Sequence, residues 1–319
     1  MSDGATKTAG PEVVAALTNR QLRQVGWITV AALAVFLFFR WLPTGTELSH
    51  MDFRVDAANA IEFCDPSNPQ FIPVVAVASP IAMDVRTAAP ARAGEAVEAT
   101  AILRTSGGKP IAPEDLLVVH TERLHLLIAD ETLTDYQHVH PRPGKVAGEW
   151  EFEFTPRADG VYRVFADFTP AATSRGLYAN ADLNVAGGES GEARGARGAA
   201  AASWAEGEYR FVLTPATGAM VARVPMDLRF EVVRVDGGRV PMEPVMDAYA
   251  HLVAFDETRS GFAHLHPVEA DPAWRPDAER PVLNFKITIP TAGRYVVWAQ
   301  VNLGGTEAFV PFWFDVVER

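Results

Sequence analysis

One stretch occurs twice and decides the fold: HLLIADETLTDYQHVHP at 125–141 and HLVAFDETRSGFAHLHP at 251–267. Aligned without gaps, eight of the 17 positions are identical, including His125/His251, Asp130/Asp256, His138/His264, His140/His266 and Pro141/Pro267. Six of the chain's eight histidines fall in these two triplets, so the pattern is an internal repeat rather than scatter. Working outward, the same order of elements surrounds each copy. ATAILRT (99–105), a Gly-Gly turn, LHLLIAD, EWEFEF (149–154) and GVYRVFADF (160–168) match LRFEVVRV (228–235), a Gly-Gly turn, HLVAFD, LNFKITI (283–289) and GRYVVWAQV (293–301). Short alternating runs broken by turns predict an all-β chain of two tandem immunoglobulin-like antiparallel β-sandwiches.

The spacing within the triplet carries geometry. If 124–129 and 136–140 pair across a six-residue turn at 130–135, cross-strand partners sum to 265. His125 then faces His140 and Leu127 faces His138. Residues two apart share a face of a strand, so all three imidazoles project from one face. A one-residue slip would move His125 to the other. The same arithmetic holds in the second copy with a sum of 517. The opposite face carries Leu124, Leu126, Ile128 and Val139, an ordinary core set. The histidine face also carries Leu127 and Tyr136 in one copy and Val253, Phe255 and Phe262 in the other. That apolar company makes partial burial, with the histidines bonded to loop backbone, a competing reading. Asp130 and Glu131 read as turn formers, because Asp and Thr satisfy local backbone groups there.

Three neutral imidazoles converging from a strand pair suit copper or zinc. The candidate ligands are His125, His138 and His140, and His251, His264 and His266. A thioether would favour copper, a softer partner. Met242 and Met246 lie just before His251, and His120 just before His125. As ligands these do not match between the repeats at fixed spacing, so all three are secondary candidates. Cys64 and the pair His50-Met51 form a further weak soft-metal candidate, or Cys64 an intermolecular disulfide.

Residues 25–39 (VGWITVAALAVFLFF) carry no charge, and 25–42 is predicted as a transmembrane helix with Arg40 snorkelling and Trp27 and Trp41 as anchors. Arg20 and Arg23 before it lean toward a cytoplasmic N-terminal tail, 1–24. The remainder divides into a connecting segment (43–90), the first sandwich (91–186), a flexible Gly/Ala-rich linker (187–206) and the second sandwich (207–319). Residues 72–77 read as a strand leading into the first sandwich. The formal net charge is −12, which argues against nucleic-acid binding. One cysteine excludes an internal disulfide framework.

The two histidine strings, each followed by a Gly-x-Tyr-type strand, resemble a family of bacterial extracytoplasmic β-sandwich domains associated with copper and heavy-metal handling. The resemblance spans roughly residues 92–186 and 207–318, and implies a sandwich fold and an envelope location. Neither module has the cysteine of a blue-copper site. These observations lead to a membrane-anchored, single-pass periplasmic protein, not an enzyme, that binds copper (or zinc) through duplicated His triplets. An envelope protein or a metal transporter is the expected partner. The runner-up is an envelope scaffold module with structural histidines. A zinc hydrolase with metal-activated water is the least favoured.

Overall fold

The structure, a computed structural model, describes residues 18–41, 48–53, 69–76, 79–188, 202–269, 271 and 274–319. Cys64 and the middle of the Gly/Ala-rich linker lie outside these residues. The chain divides into two compact units, Met1–Gly45 and Thr46–Arg319.

The first unit contains one helix, α1 (Asn19–Trp41). Its start is set by Thr18 and Gln21: the Gln21 side-chain oxygen accepts the Thr18 backbone N–H at 2.9 Å and Thr18 Oγ1 accepts that of Gln21 at 3.4 Å. This reciprocal pair is a capping box. At 1.5 Å per residue the helix spans ~34 Å, enough to cross a ~30 Å hydrocarbon layer. It begins six residues before the apolar run, because the cap rather than the hydropathy decides where backbone bonding starts.

The second unit holds both repeats. The first comprises β1 (Ile81–Thr87), β2 (Val97–Thr105), β3 (Leu124–Ala129), β4 (Tyr136–Val139), β5 (Arg142–Pro143), β6 (Glu149–Phe154), β7 (Gly160–Phe168) and β8 (Leu177–Val185). They form two antiparallel sheets, ordered β1-β2-β6-β5 and β4-β3-β7-β8. The second repeat comprises β9 (Ser203–Glu206), β10 (Tyr209–Pro215), β11 (Met220–Val221), β12 (Met226–Arg234), β13 (Met242–Glu243), β14 (His251–Asp256), β15 (Phe262–Leu265), β16 (Val282–Ile287), β17 (Gly293–Leu303) and β18 (Thr306–Val317). Its sheets are β16-β12-β10-β9 and β11-β18-β17-β14-β15, with β13 also beside β17 and one parallel pair, β11 with β18. The expected all-β fold of two repeated sandwiches is what forms.

Each sandwich has its own core between its two sheets. In the first, Leu124, Leu126 and Ile128 meet Ala101, Leu103, Trp150 and Phe152. In the second, Leu252 and Ala254 meet Phe211, Phe230 and Phe285. A third core lies between the sandwiches. Leu127, Ala129, Tyr136 and Phe165 of the first repeat pack with Val253, Phe255, Phe262, Val296, Trp298 and Trp313 of the second. The two hairpin-bearing sheets therefore dock outer face to outer face, and strands β3 and β14 are buried on both sides. This explains why β3 is buried at every residue, where a one-sided strand would alternate.

Three segments lie differently from the sequence expectation. Ile81–Thr87, inside the predicted connecting segment, is a full edge strand paired with β2 from Ile81↔Thr105 to Thr87↔Ala99. Ser203–Glu206, at the end of the predicted linker, pairs with β10. Residues 69–76 form no strand of the first sandwich and lie against the second repeat before the chain enters β1. Ile72 exchanges backbone bonds with Phe262 of the second repeat, at 2.8 and 3.1 Å, and Phe71 joins that repeat's core. A Cβ on Gly261 would sit 1.8 Å from the Ile72 carbonyl oxygen, so only glycine admits this crossing.

Phe255 stacks on Phe165 at 5.9 Å and meets Tyr136 at 5.5 Å. It fills the docking layer and belongs to neither sandwich core. Phe255→Ala should cost roughly 3–5 kcal/mol, taken from the docked state. Scanning calorimetry is expected to show one transition in the parent and two separated transitions in the variant.

Candidate metal centre

The hairpin register follows from the two-residue period and the six-residue turn. Leu126 pairs with Val139 and Leu127 with His138; Leu252 pairs with Leu265 and Val253 with His264. Both sums, 265 and 517, match the sequence arithmetic. The turn is held as expected. The Asp130 carboxylate accepts from the N–H of Thr132 at 3.2 Å and of Asp135 at 2.8 Å. Asp256 does the same for Thr258 and Ser260, at 3.2 and 2.7 Å.

The three rings of each triplet come together. Ring centres in the first lie 5.0 Å (His125–His140), 5.4 Å (His125–His138) and 4.8 Å (His138–His140) apart. In the second they lie 4.8 Å (His251–His266), 5.6 Å (His251–His264) and 4.7 Å (His264–His266) apart. One ring nitrogen from each histidine lies within 4.8 Å of the other two in both sets. Tetrahedral bonds of ~2.0–2.1 Å place ligand nitrogens ~3.3 Å apart, so capture of an ion requires the more open pairs to draw in by up to about 1.5 Å.

Outer partners decide which nitrogen points inward. His125 Nε2–H donates to the Val119 carbonyl at 3.1 Å, and His251 Nε2–H to the Val245 carbonyl at 2.9 Å. His264 Nδ1–H donates to the Asp167 carboxylate at 3.0 Å. His138 Nδ1–H donates to Gln300 Oε1 at 2.9 Å, and the Gln300 amide N–H in turn donates to Glu307 at 2.8 Å. Carbonyls and carboxylates accept only, and Glu307 fixes which end of the Gln300 amide is oxygen. Each of these four rings thus carries its proton on the outer nitrogen and turns a bare lone pair inward. His125 Nδ1 and His138 Nε2 face each other at 3.2 Å, two acceptors with no proton between them. The inner nitrogens His251 Nδ1 and His264 Nε2 are buried without a hydrogen-bond partner, as are His266 Nε2 and, in the first set, His140 Nε2.

Burial keeps the rings neutral. Desolvation holds His138, His264 and His266 well below the usual histidine value, lowers His125, His140 and His120, and brings His251 down to about 4. Burial raises the Asp167 carboxyl, against the lowering pull of His125 and His120.

The docking layer joins the two triplets. His138 and His264 rings lie 5.4 Å apart, and His125 and His264 5.6 Å. The outer partners cross between repeats: Asp167 is opposite His125 in the ladder yet holds His264, and Gln300 is opposite His251 yet holds His138. Sequence reasoning missed both. The available signal was a polar residue at the same place, seven after Gly160 and Gly293, in two mainly apolar strands.

His120 and Met246 also correspond. Each is the first of two left-handed residues in a turn closed on Val119 or Val245, with φ of 50° and 48°. This is the double positive-φ turn usually built from Gly or Asn. The match was hidden because the residue type changes. His120 stacks on His266 at 3.6 Å and borders a cavity of about 400 Å³ lined also by His125, Asp167 and His264. Met242 instead packs against the second sandwich core. His50 and Met51 are exposed on a short 3₁₀ turn, His50–Phe53.

The folded rings resist protonation that the unfolded chain accepts near pH 6.5. Histidine stability is therefore full above pH 6.5 and is lost as pH falls toward about 4, the His251 value. Asp167 titrates with the opposite sign but is one group against seven. Melting of metal-free protein between pH 7.5 and 4 is expected to show Tm falling steadily through that window. A flat profile would contradict the assignment of buried neutral rings.

Comparison with solved structures finds distant likenesses. Native Escherichia coli alpha-2-macroglobulin matches at 11% identity and a TM-score of 0.24, over 74% of this chain and 17% of that one. A DUF4785 family protein from Legionella pneumophila matches at 9% and 0.23, over 73% and 56%. Trypsin-activated alpha-2-macroglobulin from Escherichia coli matches at 11% and 0.23, over 75% and 18%. The chain thus spans from under a fifth to just over half of these proteins. No curated protein matches it. A family model does match, twice, over residues 80–185 and 203–318. The chain belongs to that family, the domain of unknown function DUF8832, and carries two copies of it.

Proposed function

We propose that this is a non-enzymatic, membrane-anchored envelope protein that binds a transition metal through His125, His138 and His140 and through His251, His264 and His266. The supporting observation is the direction of the lone pairs. In a structural polar cluster donors meet acceptors. Here the outer N–H groups of His125, His138, His251 and His264 already have acceptors, and the inner nitrogens of these rings are left bare. A cation at the centre of each triplet would satisfy that triplet's inner lone pairs, and outer acceptors of this kind orient metal-ligating imidazoles.

All-imidazole sets suit copper and zinc. The affinity order of divalent ions favours Cu(II), which supports copper as the cargo. Helix α1, long and apolar enough to cross a membrane, would serve as the anchor. Arg20 and Arg23, in the first turns of the helix ahead of its apolar run, lean toward a cytoplasmic N-terminus and sandwiches on the periplasmic side. A metal transporter or another envelope protein is the partner this role implies. The second reading, a scaffold with structural histidines, draws support from the cross-repeat bonds of His138 and His264, which help to dock the sandwiches.

Full-length protein in detergent, dialysed against Cu(II) or Zn(II) and analysed for metal, tests the choice. Two ions per chain are expected, one in His138→Ala or His264→Ala, and none in the double variant. Free metal at 1,000 times Kd should add about 4 kcal/mol of stability per site. Variants that melt lower with no metal dependence would leave the scaffold reading in its place.

A further inference from the structure

The two histidine hairpins share their register but not what stands behind their rings. His264 rests directly on a carboxylate, Asp167, at 3.0 Å. His138 rests on a neutral amide, Gln300, with the carboxylate of Glu307 one group further away. A carboxylate on the outer N–H raises the basicity of the inner nitrogen, and its charge offsets part of an ion's charge. The second triplet has a further nitrogen donor nearby, since His120 of the first repeat stacks on His266. The equivalent turn of the second repeat offers Met246 instead. The triplets are also close: the His138 and His264 rings are 5.4 Å apart. An ion in one triplet therefore repels the arrival of an ion in the other through a weakly screening interior.

We infer that the two triplets form one two-ion centre filled in a fixed order. The ion at His251, His264 and His266 binds first and is retained; the ion at His125, His138 and His140 binds second and is the exchangeable one. This inference rests on the metal-binding reading above and adds the inequivalence and order of the sites. It divides the labour between the repeats. The carboxylate-backed site pins the docked sandwiches together, and the amide-backed site takes up and gives off cargo.

Calorimetric titration of the full-length protein in detergent with Zn(II) alone tests it. Two resolved steps are expected. His264→Ala should remove the tighter step and His138→Ala the weaker. Asp167→Asn keeps the shape and an acceptor oxygen but loses the charge. It should weaken the tight step 10–100-fold and leave the other in place. The exchange Gln300→Glu with Glu307→Gln brings the carboxylate to His138 at constant net charge, and should tighten the weaker step by about the same factor. Two equal, independent steps in the parent would overturn the inference while leaving the metal reading intact. So would an Asp167→Asn effect shared equally by both steps. No zinc binding by the parent would overturn both together.

Discussion

The structure turns on one constraint: a neutral imidazole has a single N–H, and here its place is taken. Val119, Val245, Asp167 and Gln300 accept the outer protons of His125, His251, His264 and His138. The inner nitrogens are left as lone pairs in a buried space. Unpaired buried acceptors are costly, and two sets of them in corresponding positions mark a designed feature rather than a packing accident. Burial of the inner ring nitrogens gives the cluster its character. Water would have satisfied the same lone pairs on an exposed sheet.

That burial comes from docking. Each hairpin sheet covers its own sandwich core with one face and the other sandwich with the second. The aromatic layer of Phe165, Phe255, Tyr136 and Trp298 closes beside the histidines, and Arg259 crosses it to reach the Ala129 and Val161 carbonyls at 3.2 and 2.7 Å. Duplication supplied two copies of a half-finished site, each lacking an outer partner for its middle histidine. Docking supplies that partner reciprocally. Divergence then changed chosen equivalents: Asp167 against Gln300, His120 against Met246, Leu133 against Arg259. The backbone at these places is alike. Leu133 and Arg259 keep similar left-handed φ values of 59° and 52°.

Much of this was legible in the chain. The repeat, the register, the common face of the three histidines and the opposite core face of Leu124, Leu126 and Ile128 follow from a period of two and a turn of six. They are local properties, and the pattern of residues carries them. Face-to-face docking was not legible in the same way. Leu127, Tyr136, Val253 and Phe255 on the histidine face hinted that the face is covered, but pattern does not say by what. The crossing of residues 69–76 onto the second repeat was also hidden, because a short apolar run pairs equally well with any free edge. Asp167 and Gln300 escaped notice because each serves a residue far away in sequence, across an interface that periodicity does not describe.

The most direct test of the central claim is the tautomeric state of the histidines in metal-free protein, read from long-range ¹H–¹⁵N correlations in ¹⁵N-labelled full-length chain at neutral pH. The account predicts neutral rings with His125 and His251 protonated on Nε2, and His138 and His264 protonated on Nδ1. An imidazolium, or a proton on the inner nitrogen of any of the four, would close the clusters with ordinary hydrogen bonds and contradict it.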